Sequence, residues 1–190
     1  MNIEVPSRDI ASRIPSIRRL LKPLVERAND LFIIPKSSTE EFVVAVHGRG
    51  ANGAGSFNNL RFRTIVPNFS AMYYERWKRT YVGKEECYYL YQAYLHIYQV
   101  NPTNDEVEFL LLHCDPNEPA NAAHAIYKQA LHLHIESGKA EWPHDIWPHA
   151  HIALNVPYLN IMLKDINALS KAIEIAVVML RKEVLDLLKT

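Results

Sequence analysis

The chain has 190 residues, of which 48% are apolar and 22% are charged. This composition excludes a disordered protein, and two cysteines are too few for a scaffold held together by disulfides. The longest apolar run, Ile175–Leu180, is far shorter than the ~18 residues that a membrane span needs. Residues 1–6 lack the basic and then apolar pattern of a signal peptide. We therefore expect a cytoplasmic protein with no membrane partner.

The 21 basic and 21 acidic residues are unevenly distributed. Residues 1–90 contain 14 Lys and Arg against 9 Asp and Glu, a charge of +5, so residues 91–190 carry −5. A basic half beside an acidic half allows a face that binds a polyanion such as a nucleic acid or nucleotide, or head-to-tail association of the chain. Ordinary variation of surface charge is the competing explanation.

The first predicted element is helical and spans 7–30, with a break at Pro15, because apolar residues between 17 and 28 recur at intervals of three and four. Short apolar runs at Leu31–Ile34, Phe42–His47 and Arg61–Val66 predict strands. The region 31–155 should consist mostly of strands and hairpins.

A long hairpin is predicted for Cys87–Val100 and Glu106–Cys114, joined by the turn residues between them. Alternation over Cys87–Val100 assigns one face to Tyr89, Tyr91, Ala93, Leu95 and Ile97 and the other to Tyr88, Leu90, Gln92, Tyr94, His96 and Tyr98. We expect Val107, Phe109 and Leu111 to join Leu95 and Ile97 on the core face.

A second hairpin is predicted for Leu131–Glu136 and Pro148–Asn155, followed by a long helix over 158–188. The apolar stripe of this helix is widened by Ile175 and Met179, which favours a homodimer formed through the helix. The order of elements predicts one α+β domain over 1–190. Its mainly antiparallel sheet is built from two hairpins, with an N-terminal helical segment and a long C-terminal helix packed on it.

Two His-x-His pairs lie on the strands of the second hairpin. His132 and His134 share one strand face, and so do His149 and His151, because side chains alternate with period two. If His134 lies opposite His149, then His132 lies opposite His151. Directly opposed Cβ atoms are about 5 Å apart, so four imidazoles would form one cluster.

This cluster allows three interpretations. In the first, the four histidines bind a divalent metal (Zn, Mn, Fe or Ni) and Glu136 or Asp145 is a further ligand or the base acting on bound water. In the second, the imidazoles act without metal as base and acid. In the third, they are structural. The predicted catalytic residues are Glu136, Asp145 and His144, and the predicted substrate-binding residues are Arg49, Lys128 and Tyr94.

Two other segments bear on the substrate. The glycine-rich loop 48–55 lacks the lysine of a phosphate-binding loop and is better explained as a flexible connection, or as a mobile flap carrying Arg49. The stretch 73–81 alternates aromatic and basic residues, which suits single-stranded nucleic acid or, equally, an amphipathic edge. We expect a metal-dependent or His acid–base hydrolase acting on a phosphodiester or nucleic acid. The alternative is a non-catalytic dimeric interaction protein with structural histidines.

Overall fold

The computed structural model describes residues 3–49, 56–103, 105–115 and 165–189, together with the backbone of 132–135 and 150–153. Within these residues, strands form an antiparallel sheet, with one helix near each end of the chain. This arrangement confirms the predicted α+β class. None of the described helices is long and apolar enough to cross a membrane.

The N-terminal region folds as strand β1 (Glu4–Pro6), a 3-10 segment (Ser7–Ser12), helix α1 (Arg13–Leu21) and a 3-10 turn (Lys22–Leu24). The predicted helical segment therefore exists, but its break does not fall at Pro15. This proline lies in the first turn of α1, where its missing N–H would have no partner within the helix.

The sheet follows a hairpin path across the molecule. Its strands are β2 (Leu31–Ser37), β3 (Glu41–Gly48), β4 (Phe62–Arg63), β5 (Phe69–Val82), β6 (Glu85–Val100), β7 (Glu106–Cys114), β8 (His132–Ile135) and β9 (Ala150–Ala153). The order is β2-β3-β5-β6-β7-β8-β9, with β1 beside β6 and β4 beside β5. Gly83, with a φ of 63°, makes the tight turn between β5 and β6.

Strand β5 was not predicted from the sequence, and it changes the interpretation of the stretch 73–81. Tyr73, Tyr74 and Trp77 are buried in the sheet, so they cannot stack on nucleic acid bases. The stretch is aromatic because the strand is covered on both faces at these positions. Burial of these three rings favours the alternative interpretation of the stretch, an amphipathic edge.

Two β-bulges interrupt the predicted alternation of the long strands. In the first, Arg76 pairs with Gln92 but Trp77 pairs with Leu90, so Tyr91 is an extra residue. As a result, Tyr88 and Leu90 belong to the core together with Ala93, Leu95 and Ile97. The prediction that Tyr89 shares a face with Ala93, Leu95 and Ile97 is wrong, because the bulge reverses the alternation for the residues that precede Tyr91 in the chain.

The second bulge lies between β6 and β7. Ile97 pairs with Leu110 and Tyr98 pairs with Glu108, which leaves Phe109 as the extra residue. Beyond it Leu112 lies opposite Leu95 in the core, while Leu111 lies opposite His96 on the other face. The expectation that Leu111 faces the core was wrong for this reason.

The C-terminal helix α2 spans Ile166–Leu180 and continues as a π-helical turn over Arg181–Leu185. Asp165 caps its start, because the carboxylate accepts hydrogen bonds from the backbone N–H groups of Asn167 and Ala168, both at 2.8 Å. The part of the predicted helix between 158 and 164 lies outside the described residues. The buried side of α2 packs into the core through Leu169, Ala172, Ile173, Ala176, Val177 and Leu180.

A buried ion pair ties both helices to the sheet. The Arg13 guanidinium on α1 donates to both carboxylate oxygens of Glu75 on β5, and to Ser170 Oγ on α2 at 2.7 Å. Glu75 also accepts from Tyr73 Oη at 2.6 Å and from Trp77 Nε1 at 3.0 Å. Both charges are almost completely buried, and every oxygen of the carboxylate has a donor. The pair therefore fixes how α1 and α2 lie on the sheet.

We expect Glu75→Gln to lower the free energy of unfolding by about 3–5 kcal/mol, because it leaves the Arg13 charge buried without its counter-charge. Urea unfolding followed by circular dichroism measures this loss. The matched control is Glu174→Gln, which removes the exposed ion pair with Lys171 and should change the stability by less than about 0.5 kcal/mol. Equal effects of the two substitutions would contradict a structural role for the buried pair.

Candidate functional site

The face of the sheet turned away from α1 and α2 carries a row of histidine positions. Tyr94 on β6 lies opposite His113 on β7, which lies opposite His132 on β8. In the neighbouring row His96 lies opposite Leu111, then His134 and then His151. Directly opposed residues of antiparallel strands belong to the same face. We call this surface the histidine face; it comprises residues 94, 96, 98 and 113 and the register positions 132, 134 and 151.

The second hairpin is antiparallel as predicted, but its register differs. His134 lies opposite His151 and His132 lies opposite Ala153, whereas the prediction placed His134 opposite His149. A shift of two residues leaves every position on its predicted face, because side chains alternate with period two. The other predicted site residues on this part of the chain lie outside the described residues: Lys128, Glu136, His144, Asp145 and His149.

The centre of the histidine face is a contact between two imidazoles. His96 Nε2 lies 2.7 Å from His113 Nε2, and the two rings are stacked with their centroids 4.8 Å apart. On its other side His96 Nδ1 lies 3.1 Å from the Tyr98 hydroxyl and 3.7 Å from Glu108 Oε1. A proton on Nδ1 is donated to the Tyr98 hydroxyl and leaves the Nε2 lone pair directed at His113, whereas Glu108 lies beyond hydrogen-bond distance.

Tyr94 orients the second imidazole of this contact. Its ring stacks on that of His113 with centroids 3.9 Å apart and an angle of 10° between the planes. The Tyr94 hydroxyl donates to the buried carboxylate of Asp115 and accepts from Gln92 Nε2 at 3.0 Å. Tyr94 was predicted to bind substrate, and in the structure it holds His113 in place.

The electrostatic environment keeps His96 neutral. Burial, with a smaller contribution from the Arg61 guanidinium, lowers the pKa of His96 to about 4. Arg61 lies over the ring of Tyr98, 4.1 Å from its centroid, and pairs with Glu106 at 3.0 Å. Burial also raises the pKa of the Tyr98 hydroxyl, which therefore stays protonated at neutral pH.

This arrangement brings imidazole nitrogens together, and an unprotonated imidazole nitrogen is a common ligand of divalent metals. No group of three His, Cys, Asp or Glu side chains suited to a metal ion is found where the structure describes side chains. His96 and His113 provide two such nitrogens, and the register places positions 132 and 134 beside them on β8.

His96 and His113 were missed as site residues in the sequence. The alternation of β6 did place His96 on the face of Tyr94, but the strand partner of each histidine was not predicted. The remaining predicted substrate ligand, Arg49, is exposed and pairs with Asp30 at 3.4 Å. It lines a cavity at the end of the sheet rather than the centre of the histidine face.

A comparison with models of protein families found no match, and searches of curated proteins and of solved structures found no similar chain. The function must therefore be inferred from the site itself.

We expect His96 to titrate near pH 4 in NMR spectra of its imidazole. An unfolded histidine takes up its proton near pH 6.5, so the folded state loses up to about 3 kcal/mol of stability as the pH falls from 6.5 to 4. Urea unfolding at a series of pH values measures this. His96→Gln should remove that part of the pH dependence, whereas His47→Gln should keep it. A midpoint of 6 or above for His96 would contradict its burial as a neutral group.

Proposed function

We propose that the protein is a metal-dependent hydrolase that cleaves a phosphodiester in a nucleic acid or nucleotide, with the histidine face as its catalytic centre. The observation that carries the proposal is the contact of His96 Nε2 with His113 Nε2, in rows that continue to the histidine positions of β8 and β9. The metal is Zn, Mn, Fe or Ni, all of which accept imidazole ligands.

The spacing of the two imidazoles is close to that of a metal site. Two nitrogens bound to a tetrahedral zinc at about 2.0–2.1 Å lie about 3.3 Å from each other. The observed separation of 2.7 Å needs only a small opening of the two rings to accept an ion. The Tyr98 hydroxyl at His96 Nδ1 is the outer partner that orients a ligating histidine.

The rest of the face suits cleavage of an anionic ester. A bound divalent metal lowers the pKa of its water, which becomes a nucleophile near neutral pH. The guanidinium of Arg61, beside Tyr98, supplies positive charge for the phosphoryl oxygens. Glu136, Asp145 and His144 follow β8 in the chain and stay the predicted catalytic residues.

Catalysis by the histidines without metal is the weaker alternative. A general acid must hold a proton at the working pH, and a His96 with a pKa of about 4 holds none at neutral pH. The same neutrality suits a ligand, because a metal binds the unprotonated nitrogen.

A second candidate function is a non-catalytic protein that dimerises through α2. Val178 is 36% exposed, and Leu187 and Leu188, which follow the helix, are 67% and 42% exposed. Ile175 and Met179 are half-buried at the margin of the same apolar line. Light scattering of the wild type and of Val178→Asp tests this candidate, which requires a dimer that the substitution dissociates.

We expect purified, untagged protein to contain about one divalent metal ion per chain, and the double variant His96→Ala, His113→Ala to contain almost none. Inductively coupled plasma mass spectrometry measures the metal content. Hydrolysis of bis(p-nitrophenyl) phosphate should fall by at least about 100-fold in the double variant, because loss of a ligand costs at least as much as loss of its outer partner.

The matched control for metal content is His47→Ala, a histidine on β3 that stacks on Phe32. It should retain the metal of the wild type. A wild-type protein that stays empty after incubation with Zn, Mn, Fe and Ni salts would overturn the metal site. Circular dichroism of each variant checks that the fold is kept.

A further inference from the structure

A cavity of about 1190 Å³ opens at the end of the sheet where β3, β4 and β6 meet. Its walls come from the segment after α1, the end of β3, the segment from β4 into β5, and the end of β6. Pockets for small molecules usually measure about 300–1,000 Å³. The size of this cavity therefore suits an extended ligand better than a single small molecule.

Positive charge dominates the wall of the cavity. The charged residues that line it are Arg27, Arg49, Arg61, Arg63, Glu26 and Asp30. Arg49 pairs with Asp30 and Arg61 pairs with Glu106, whereas Arg27 and Arg63 are exposed and form no ion pair within the part of the chain that the structure describes. Two guanidinium groups are thus available, and the planar guanidinium matches the oxygens of a phosphate.

An exposed aromatic pair lies next to this wall. Phe32 on β2 is 40% exposed and stacks on the imidazole of His47 on β3, with the ring centroids 5.3 Å apart and an angle of 24° between the planes. His47 Nδ1 donates to the carbonyl oxygen of Gly48 at 2.9 Å, and Gly48 itself lines the cavity. Exposed flat rings beside phosphate-binding groups are what single strands of nucleic acid need, because their unpaired bases stack on them.

Arg61 connects the cavity to the histidine face. It lines the cavity, and its guanidinium lies over the ring of Tyr98, whose hydroxyl contacts His96. The chain of contacts from the cavity to the two imidazoles therefore runs through Arg61 and Tyr98.

We infer that this cavity binds the phosphate backbone of single-stranded nucleic acid, that a base stacks on the Phe32–His47 pair, and that the strand is thereby directed to the histidine face. The inference rests on the proposed function and names its substrate class. A duplex is excluded because its bases are stacked on one another and present no free face to Phe32.

Fluorescence anisotropy with short labelled single strands of DNA and RNA tests the binding site. We expect Arg27→Gln with Arg63→Gln to weaken binding about tenfold, and to reduce the slope of log Kobs against log salt concentration by about 1.4, which corresponds to two lost phosphate contacts. The matched control is Arg18→Gln with Arg19→Gln, which removes two exposed arginines of α1 and should leave the slope unchanged. An equal loss in both pairs would overturn the inference.

The stacking contact has its own test. Phe32→Ala should weaken binding of the single strand about tenfold, as expected for one stacked base, whereas Tyr81→Ala at the tip of the β5–β6 hairpin should not. A duplex of the same sequence and a mononucleotide serve as competitors. If either displaces the labelled strand as well as the unlabelled single strand does, the assigned substrate class is wrong.

Binding titrations of the double variant His96→Ala, His113→Ala, compared with its hydrolytic activity, separate this inference from the proposed function. If substitution of the arginines weakens binding but the wild type hydrolyses no nucleic acid, the proposed hydrolase is refuted and the binding site is not. If the wild type hydrolyses nucleic acid but the substitutions of Arg27, Arg63 and Phe32 do not weaken binding, the binding site is refuted and the proposed hydrolase is not.

Discussion

The ion pair between Arg13 and Glu75 is the interaction on which the arrangement of the molecule depends. A buried charge is tolerated only when it is paired and hydrogen-bonded, and Glu75 meets this condition through Arg13, Tyr73 and Trp77. Because Arg13 also donates to Ser170, the same guanidinium holds α1 and α2 on one face of the sheet. Neither of these helices covers the opposite face, and the histidine positions lie there.

The β-bulge at Phe109 determines which residues of β7 lie on the histidine face. Without the extra residue, the alternation from Val107 onward would place Leu111 and His113 in the core. With it, Leu112 and Cys114 are buried, and His113 lies opposite Tyr94 and beside His96. The bulge thus brings together two imidazoles from neighbouring strands, and the pairing of β7 with β8 extends the row to His132. With this one extra residue, β7 contributes a histidine to the candidate site; without it, the same histidine would be buried in the core.

Arg61 links the two parts of the proposed binding surface. Its guanidinium lies between the arginine-lined cavity and Tyr98, and its charge adds to the effect of burial in lowering the pKa of His96. The pairing with Glu106 holds it at this place, and Ser70 donates to the other oxygen of Glu106 at 2.7 Å. A guanidinium thereby lies close to the buried imidazole of His96, which stays neutral.

Local patterns in the sequence determined the α+β class, most of the strands, and the common face of His132, His134 and His151. Each of these follows from a period of two or of about 3.6 residues, which nearby residues impose on the backbone. The same patterns left β5 unrecognised, because its first seven residues are buried on both faces and do not alternate. They also could not place the bulges at Tyr91 and Phe109 or the register of β8 against β9. The contact between His96 and His113, and the meeting of four arginines in one cavity, were decided by the tertiary structure alone, because they depend on which strands become neighbours and on where a single extra residue shifts their register.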